Sequence, residues 1–280
     1  MATYLFRLGF FGNFQLPTTW TNVTAGTIAT LAPGLGDTIL LNTPNATLQG
    51  DGNVDQITVG AAAGAAPFTL SGAVTARQIT STAALTLAAG TTLSLLGRPG
   101  SLSPNVTLGA VTLLTNATLT AGGAIALNST LSATQSSTVT ATTLTLRTPT
   151  AALLLDNSTL TLANSTANSP SITAGAQSTT TATSRIALTN AANLITDGAI
   201  ILGLTGTADL TATAKATITA PRITVGAGGT GTLTLNNSSA VIQDLIIAAA
   251  AASRGTATLA AGARMQLTGG LQLGTAGAGT

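Results

Sequence analysis

Seven aspartates supply the whole acidic complement of these 280 residues, and histidine, cysteine and glutamate are absent. Triads that need imidazole or thiolate are therefore excluded, and so are most zinc sites. The chemistry left open is that of paired carboxylates. Glycoside hydrolysis needs only two, about 5 to 9.5 Å apart, and β-helical folds host many polysaccharide-cleaving enzymes. The candidates are Asp51, Asp55, Asp156, Asp197, Asp209 and Asp244. Only Asp51 and Asp55 are neighbours, within Gly50-Asp-Gly-Asn-Val-Asp-Gln-Ile57. That stretch nearly matches a calcium-binding nonapeptide, but it occurs once and has one residue too many before the second aspartate. Such sites need adjacent copies to complete their oxygen shell, so the segment reads as a turn. Gly226-Ala-Gly-Gly-Thr-Gly-Thr232 lacks the Gly-Lys-Ser/Thr ending of a phosphate loop and precedes a strand. Arg77, Arg98, Arg147, Arg185 and Arg222 stand singly, as solvated outward residues do. The pI near 9.9 reflects scattered charges with no basic run to follow a phosphate backbone. These residues predict a non-enzymatic chain that uses no cofactor or metal and binds no nucleic acid.

Sugar sites favour exposed aromatics, and here the aromatics are gathered elsewhere. Tyr4, Phe6, Phe10, Phe11, Phe14 and Trp20 fall in the first twenty residues, and Phe68 alone comes later. An aromatic start on a chain of Ala, Thr, Leu and Gly suits either a cap closing the end of a core or a docking segment for another subunit. We assign residues 1–20 as this cap or anchor, with those six aromatics as its assembly residues, and residues 21–280 as a repeat body.

The body carries a period of two: Leu85-Thr-Leu87, Leu144-Thr-Leu146, Leu160-Thr-Leu162, Ile223-Thr-Val225, Leu233-Thr-Leu235 and Leu271-Gln-Leu273. Alternate residues of a strand face one side, so Leu, Ile and Val point inward and Thr outward. No apolar stripe of helical period is sustained, and abundant Thr and Gly disfavour helix. Ile223-Thr-Val-Gly-Ala-Gly-Gly-Thr-Gly-Thr-Leu-Thr-Leu235 echoes Leu271-Gln-Leu-Gly-Thr-Ala-Gly-Ala-Gly-Thr280, with a weaker copy beginning at Asp244 between them. The strands at Ile223, Leu245 and Leu271 recur at offsets of 22 and 26, the length of one three-sided coil. Asn-x-Thr-Leu recurs at Asn45, Asn105, Asn116, Asn128 and Asn157, where an asparagine that tolerates left-handed backbone would turn the chain into a strand. The expected fold is all-β, a single-chain β-solenoid (a right-handed parallel β-helix) with an aromatic N-terminal segment.

Composition agrees with a buried core: 45% hydrophobic, 6% charged and a mean hydropathy of +0.49. The longest apolar run, 245–252, is far short of the roughly 18 to 20 residues of a spanning helix, and aromatic girdles of a membrane barrel are missing, so no membrane insertion is expected. The N-terminus lacks the features of a secretory signal. After Thr280 the repeat pattern calls for another strand, which predicts that the coil runs on through another chain or a longer polypeptide.

The Gly-x-x-Gly-x-Gly-Thr and Leu-x-Leu units at 223–235 and 271–280 resemble the repeats of autotransporter passenger domains and related bacterial β-solenoid surface proteins. Ala2-Thr-Tyr4, Trp20-Thr-Asn22 and Pro33-Gly-Leu-Gly-Asp-Thr-Ile-Leu-Leu41 are similar to the start of phage and prophage fibre-like proteins. The resemblance implies a structural protein at a virion or extracellular surface, with other virion or cell-surface structural proteins as partners, while unpaired strand edges at the coil ends and an apolar, weakly charged outer face predict a homo-oligomer or filament of the chain itself. A phage fibre, spike or capsid-surface component is expected first, and a bacterial adhesin or self-assembling extracellular filament second. Outward Thr runs such as 138–146 also look like the arrays of ice-binding solenoids. Thr is the ordinary outward residue of a strand, however, and the sequence shows no Thr-x-Thr ladder recurring coil after coil.

Overall fold

A computed structural model describes residues 2–7, 11–43, 45–60, 67–97, 106–163, 170–177, 182–274, 276 and 278–280. The chain is a parallel β-solenoid, with 60% of the described residues in strands and no α-helix among them. It divides into two compact units, Met1–Ile125 and Ala126–Thr280.

The second unit shows most plainly how the sequence makes a turn. Thr217–Val225 is a strand whose alternation breaks at Pro221, so its two halves bury Ile218 and Ala220, then Ile223 and Val225, on successive faces of one coil. Proline suits the bend because it gives up a ladder N–H there. Gly226, at φ +73°, makes the next corner, in a conformation that an L side chain adopts only with strain. Thr230–Asn236 forms the third face and buries Gly231, Leu233 and Leu235. Asn237, at φ +46°, then returns the chain to the first face. The following turn lies in register: Ile218 opposite Ala240, Ile223 opposite Leu245, Val225 opposite Ile247, and Leu235 opposite Leu259. Leu245 in turn faces Leu271, so the offsets of 22 and 26 are those of successive coils.

The first unit stacks the same way. Leu48, Leu70, Leu87 and Leu113 form one column, Phe68, Leu85 and Val111 another, and Ile39, Ile57, Ile79 and Val106 a third. All are buried. Burying each such side chain is worth on the order of 1.5–3 kcal/mol, which is how a chain with no cysteine holds a narrow core.

The asparagine corners are partly as expected. Asn45, Asn116 and Asn157 adopt left-handed backbone, each two residues before a strand. Asn128 turns without entering that region, and Asn105 lies outside the described residues. The residue after the left-handed one is small and buried, as at Ala117, Ser158, Ala216 and Ser238. Ser158 and Ser238 donate their hydroxyls to a carbonyl of the preceding turn, Ala133 O at 3.0 Å and Ala212 O at 2.9 Å, whereas Ser137 and Ser253 donate to Thr134 O at 2.5 Å and Ala250 O at 2.7 Å within their own corners. These bonds satisfy buried groups at corners that the sheet ladders do not reach.

Candidate functional site

The aromatic start is built on four short strands: β1 (Thr3–Phe6), β2 (Phe11–Asn13), β3 (Trp20–Asn22) and β4 (Thr27–Ile28). β1 runs parallel to Thr38–Leu41 and so acts as a rung of the coil. β3 then pairs antiparallel with β1, Phe6 opposite Trp20, and β4 pairs antiparallel with β3. Parallel winding gives way to an antiparallel meander, and among the described residues the outermost strand, β4, is two residues long. Short edge strands offer little template for unintended pairing.

Beneath the meander, Trp20 is fully buried and packs edge-to-face with Phe6 at 6.0 Å and with Phe14 at 5.6 Å. Its indole N–H donates to Phe14 O at 3.0 Å, so a large apolar body is buried without an orphaned donor. Phe6 also meets Phe68 edge-on at 5.4 Å. The backbone makes room for two of these rings. A Cβ at Gly12 would lie 2.7 Å from the Phe6 ring, and one at Gly52 2.3 Å from the Phe14 ring. Gly52 belongs to the segment that nearly matches a calcium loop, and its role there is to seat an aromatic ring.

Of the six residues expected to anchor or assemble, Tyr4, Phe6, Phe14 and Trp20 are buried, and Phe10 lies outside the described residues. Phe11 faces solvent at 58% exposure. Burial raises the Tyr4 phenol pKa above its ordinary value of 10.0, and the nearby Asp37 charge raises it further. The exposed apolar residues of this region are otherwise aliphatic: Leu16, Val23, Ile28, Leu31 and Leu35. Residues 8–36 contain no charged side chain. Aromatic content does not mark this set in the sequence; the uncharged stretch does.

The aspartates are each engaged locally. Asp37 accepts the N–H groups of Ala2 at 2.8 Å and Gly34 at 3.1 Å, and Asp51 accepts that of Ala73 at 2.8 Å. Asp55 is nearly buried and pairs with Arg77 at 3.4 Å. Asp156 accepts from Thr189 at 3.0 Å and Asn190 at 2.6 Å. Asp197 accepts from the Ser171 hydroxyl at 3.5 Å, and Asp209 from that of Thr232. Asp244 accepts the Gly270 N–H at 3.0 Å and pairs with Arg222 at 3.5 Å. Most of these partners sit about one turn away in sequence, so the carboxylates tie neighbouring coils together. Among the described residues no three acidic side chains gather as a metal site, and no helix is long and apolar enough to cross a membrane.

The last turn is built differently. Leu271 and Leu273 stand over the buried Leu245 and Ile247 but are 52% and 56% exposed, and Leu259 is likewise open above Leu235. No protein family, curated protein or solved structure matches this chain.

Proposed function

We propose that this chain is a non-enzymatic structural protein of an extended surface structure, in the first instance a phage virion component such as a fibre, spike or capsid-surface protein. One observation carries the reading: the residues that could do chemistry serve the coil. Inward positions hold stacked Leu, Ile and Val, and the aspartates bridge turns or support corners. A surface made this way offers length and repetition more than a reactive cleft. Its partners are further copies of itself and other structural proteins of the same particle or surface.

Anchoring falls to the outside of the N-terminal cap, where Phe11, Leu16, Val23, Ile28, Leu31 and Leu35 are exposed on a segment without charge. Exposed apolar side chains collected in one region support a protein–protein contact. The second reading, a bacterial adhesin or self-assembling extracellular filament, is supported by the corner glycines Gly203, Gly226 and Gly274, which hold left-handed backbone at turns of the repeat. Antibody labelling of purified phage particles and of cell-envelope fractions from the source strain separates the two. Label on virions supports the first reading, and label confined to the envelope supports the second. A cytosolic protein that cleaves polysaccharide, and loses that activity in Asp51→Asn or Asp55→Asn, would overturn both.

A further inference from the structure

The Asn-x-Thr-Leu unit that leads the chain into a strand contains the acceptor sequence for sugar on an asparagine amide, and the chain is rich in it. Nine of its fifteen asparagines stand in Asn-x-Ser/Thr. Threonine and serine supply 75 of the 280 residues, so chance alone would give fewer than half as many.

Were these asparagines present only to make left-handed corners, the corners would require them. In the second unit six corners stack ahead of strands that lie in register: Ser136, Asn157, Ala191, Lys215, Asn237 and Gly262, all with positive φ. Five residue types serve the same turn. The hydroxyl two residues further on is equally dispensable, since Asn193 and Arg264 take that place at two of the corners. Asparagine and hydroxyl coincide at Asn157-Ser-Thr159 and at Asn237-Ser-Ser239.

Bonding divides the asparagines of this unit along the same line. Asn190 donates its amide to Asp156 at 2.6 Å, and Asn193 accepts from the Thr217 hydroxyl; neither stands in the motif. Asn128, Asn157, Asn236 and Asn237 all do, all are exposed, and their side-chain amides make no hydrogen bond to another described residue. The hydroxyls of Thr159 and Ser239 are likewise unengaged among the described residues. A free amide with a free hydroxyl two residues away is what a transferase reads and holds. A sugar at either corner displaces nothing from the core, because the buried neighbour, Ser158 or Ser238, is a separate residue. Asn157 and Asn237 stand three turns apart in one column, about 14 Å at the usual rung spacing, which gives each sugar its own room.

We propose that Asn157 and Asn237 are N-glycosylation sites, a modification independent of the structural role above. The amide nitrogen attacks the anomeric carbon of a sugar diphosphate held by a glycosyltransferase. A carbon–nitrogen bond replaces the carbon–oxygen bond to phosphate, the diphosphate leaves with that electron pair, and the amide gives one proton to the transferase. The test is mass spectrometry of the full chain purified from its source strain. Trypsin cuts after Arg147, Arg185, Arg222 and Arg254, so the two sites fall in separate peptides, 148–185 and 223–254. Both peptides are expected to carry sugar, which electron-transfer fragmentation places on Asn157 and Asn237. Asn157→Gln and Thr159→Ala should each remove the sugar from position 157 and leave that at Asn237, and Ser239→Ala should do the reverse. Peptides of unmodified mass, sugar on other residues only, or sugar that persists at Asn157 in Thr159→Ala would overturn the proposal. If Asn157→Gln does not fold, Thr159→Ala, which keeps the asparagine, decides.

Discussion

The aromatic cluster of residues 4–20 and the rungs at 254–260 and 271–273 both carry large apolar side chains, yet they treat them in opposite ways. In the aromatic cluster, Phe6, Phe14 and Trp20 are buried beneath an antiparallel meander, and two glycines leave the space that two of the rings fill. At the last turn, Leu259, Leu271 and Leu273 continue the inward columns of the coil and remain open to solvent. A large apolar side chain has a different energetic value in the two places. An inward position contributes when something lies on both sides of it, and the repeat alone supplies that only in the middle of a stack.

The sharpest test of this contrast is truncation. Trp20→Ala is expected to destabilise the first unit by about 3–5 kcal/mol, since it removes the ring on which Phe6 and Phe14 pack and leaves a cavity. Leu273→Ala, although it extends a buried column, should change stability by no more than about 0.5 kcal/mol. Urea midpoints of the two variants measure the difference, and equal losses would erase the distinction between the buried ring and the exposed leucine.

Glycine substitutions probe the same contrast at close quarters. Gly52→Ala drives a methyl into the Phe14 ring and should cost about 1–3 kcal/mol in the same assay. Gly270→Ala meets only Asp244 Oδ1, at 3.7 Å, and should be neutral or slightly stabilising. A neutral Gly52→Ala would mean that the aromatic cluster can repack around its rings.

Corner residues give a smaller and opposite pair of effects. Asn45→Ala places alanine at φ +57° and should lose about 1 kcal/mol, because left-handed backbone crowds Cβ. At the last turn Ala261 already sits at φ +45°, so Ala261→Gly should raise the thermal midpoint by an amount corresponding to about 0.5–1 kcal/mol. Destabilisation by the glycine would show that this corner is held by contacts of the alanine methyl.

The smallest effect is one of pH. The Tyr4 phenol pKa is raised in the folded chain, so the native state favours its protonated form. The stability this gives is present below the unfolded value of about 10 and is lost as pH rises through the folded pKa. Unfolding midpoints should fall over that alkaline range in the wild type and fall less in Tyr4→Phe. Parallel pH profiles for the two proteins would remove Tyr4 from the account.

Much of the architecture was legible because a period of two and a small-residue corner are local properties. Leu144-Thr-Leu146 and Ile223-Thr-Val225 have to be strands, and the recurrence of Ile223, Leu245 and Leu271 fixes coil length without reference to anything distant. The N-terminal meander was legible only as a gathering of aromatics. Which of them would be buried depended on partners remote in sequence: Phe68 against Phe6, and the missing side chain of Gly52 beneath Phe14. The roles of the aspartates were hidden for the same reason. Asp156 meets Asn190 and Asp51 meets Ala73 only after a full turn of the chain has been laid down.

The outward threonines of the second unit show where the division falls. Alternation by itself settled that these residues are strands with Thr outward, because side-chain direction along an extended chain follows from backbone geometry alone. Stacking decided which threonines become neighbours, since turns of 23 and 24 residues bring Thr211, Thr234 and Thr258 into one row. A run of residues fixes what each strand presents, and only the folded coil fixes what it is presented beside.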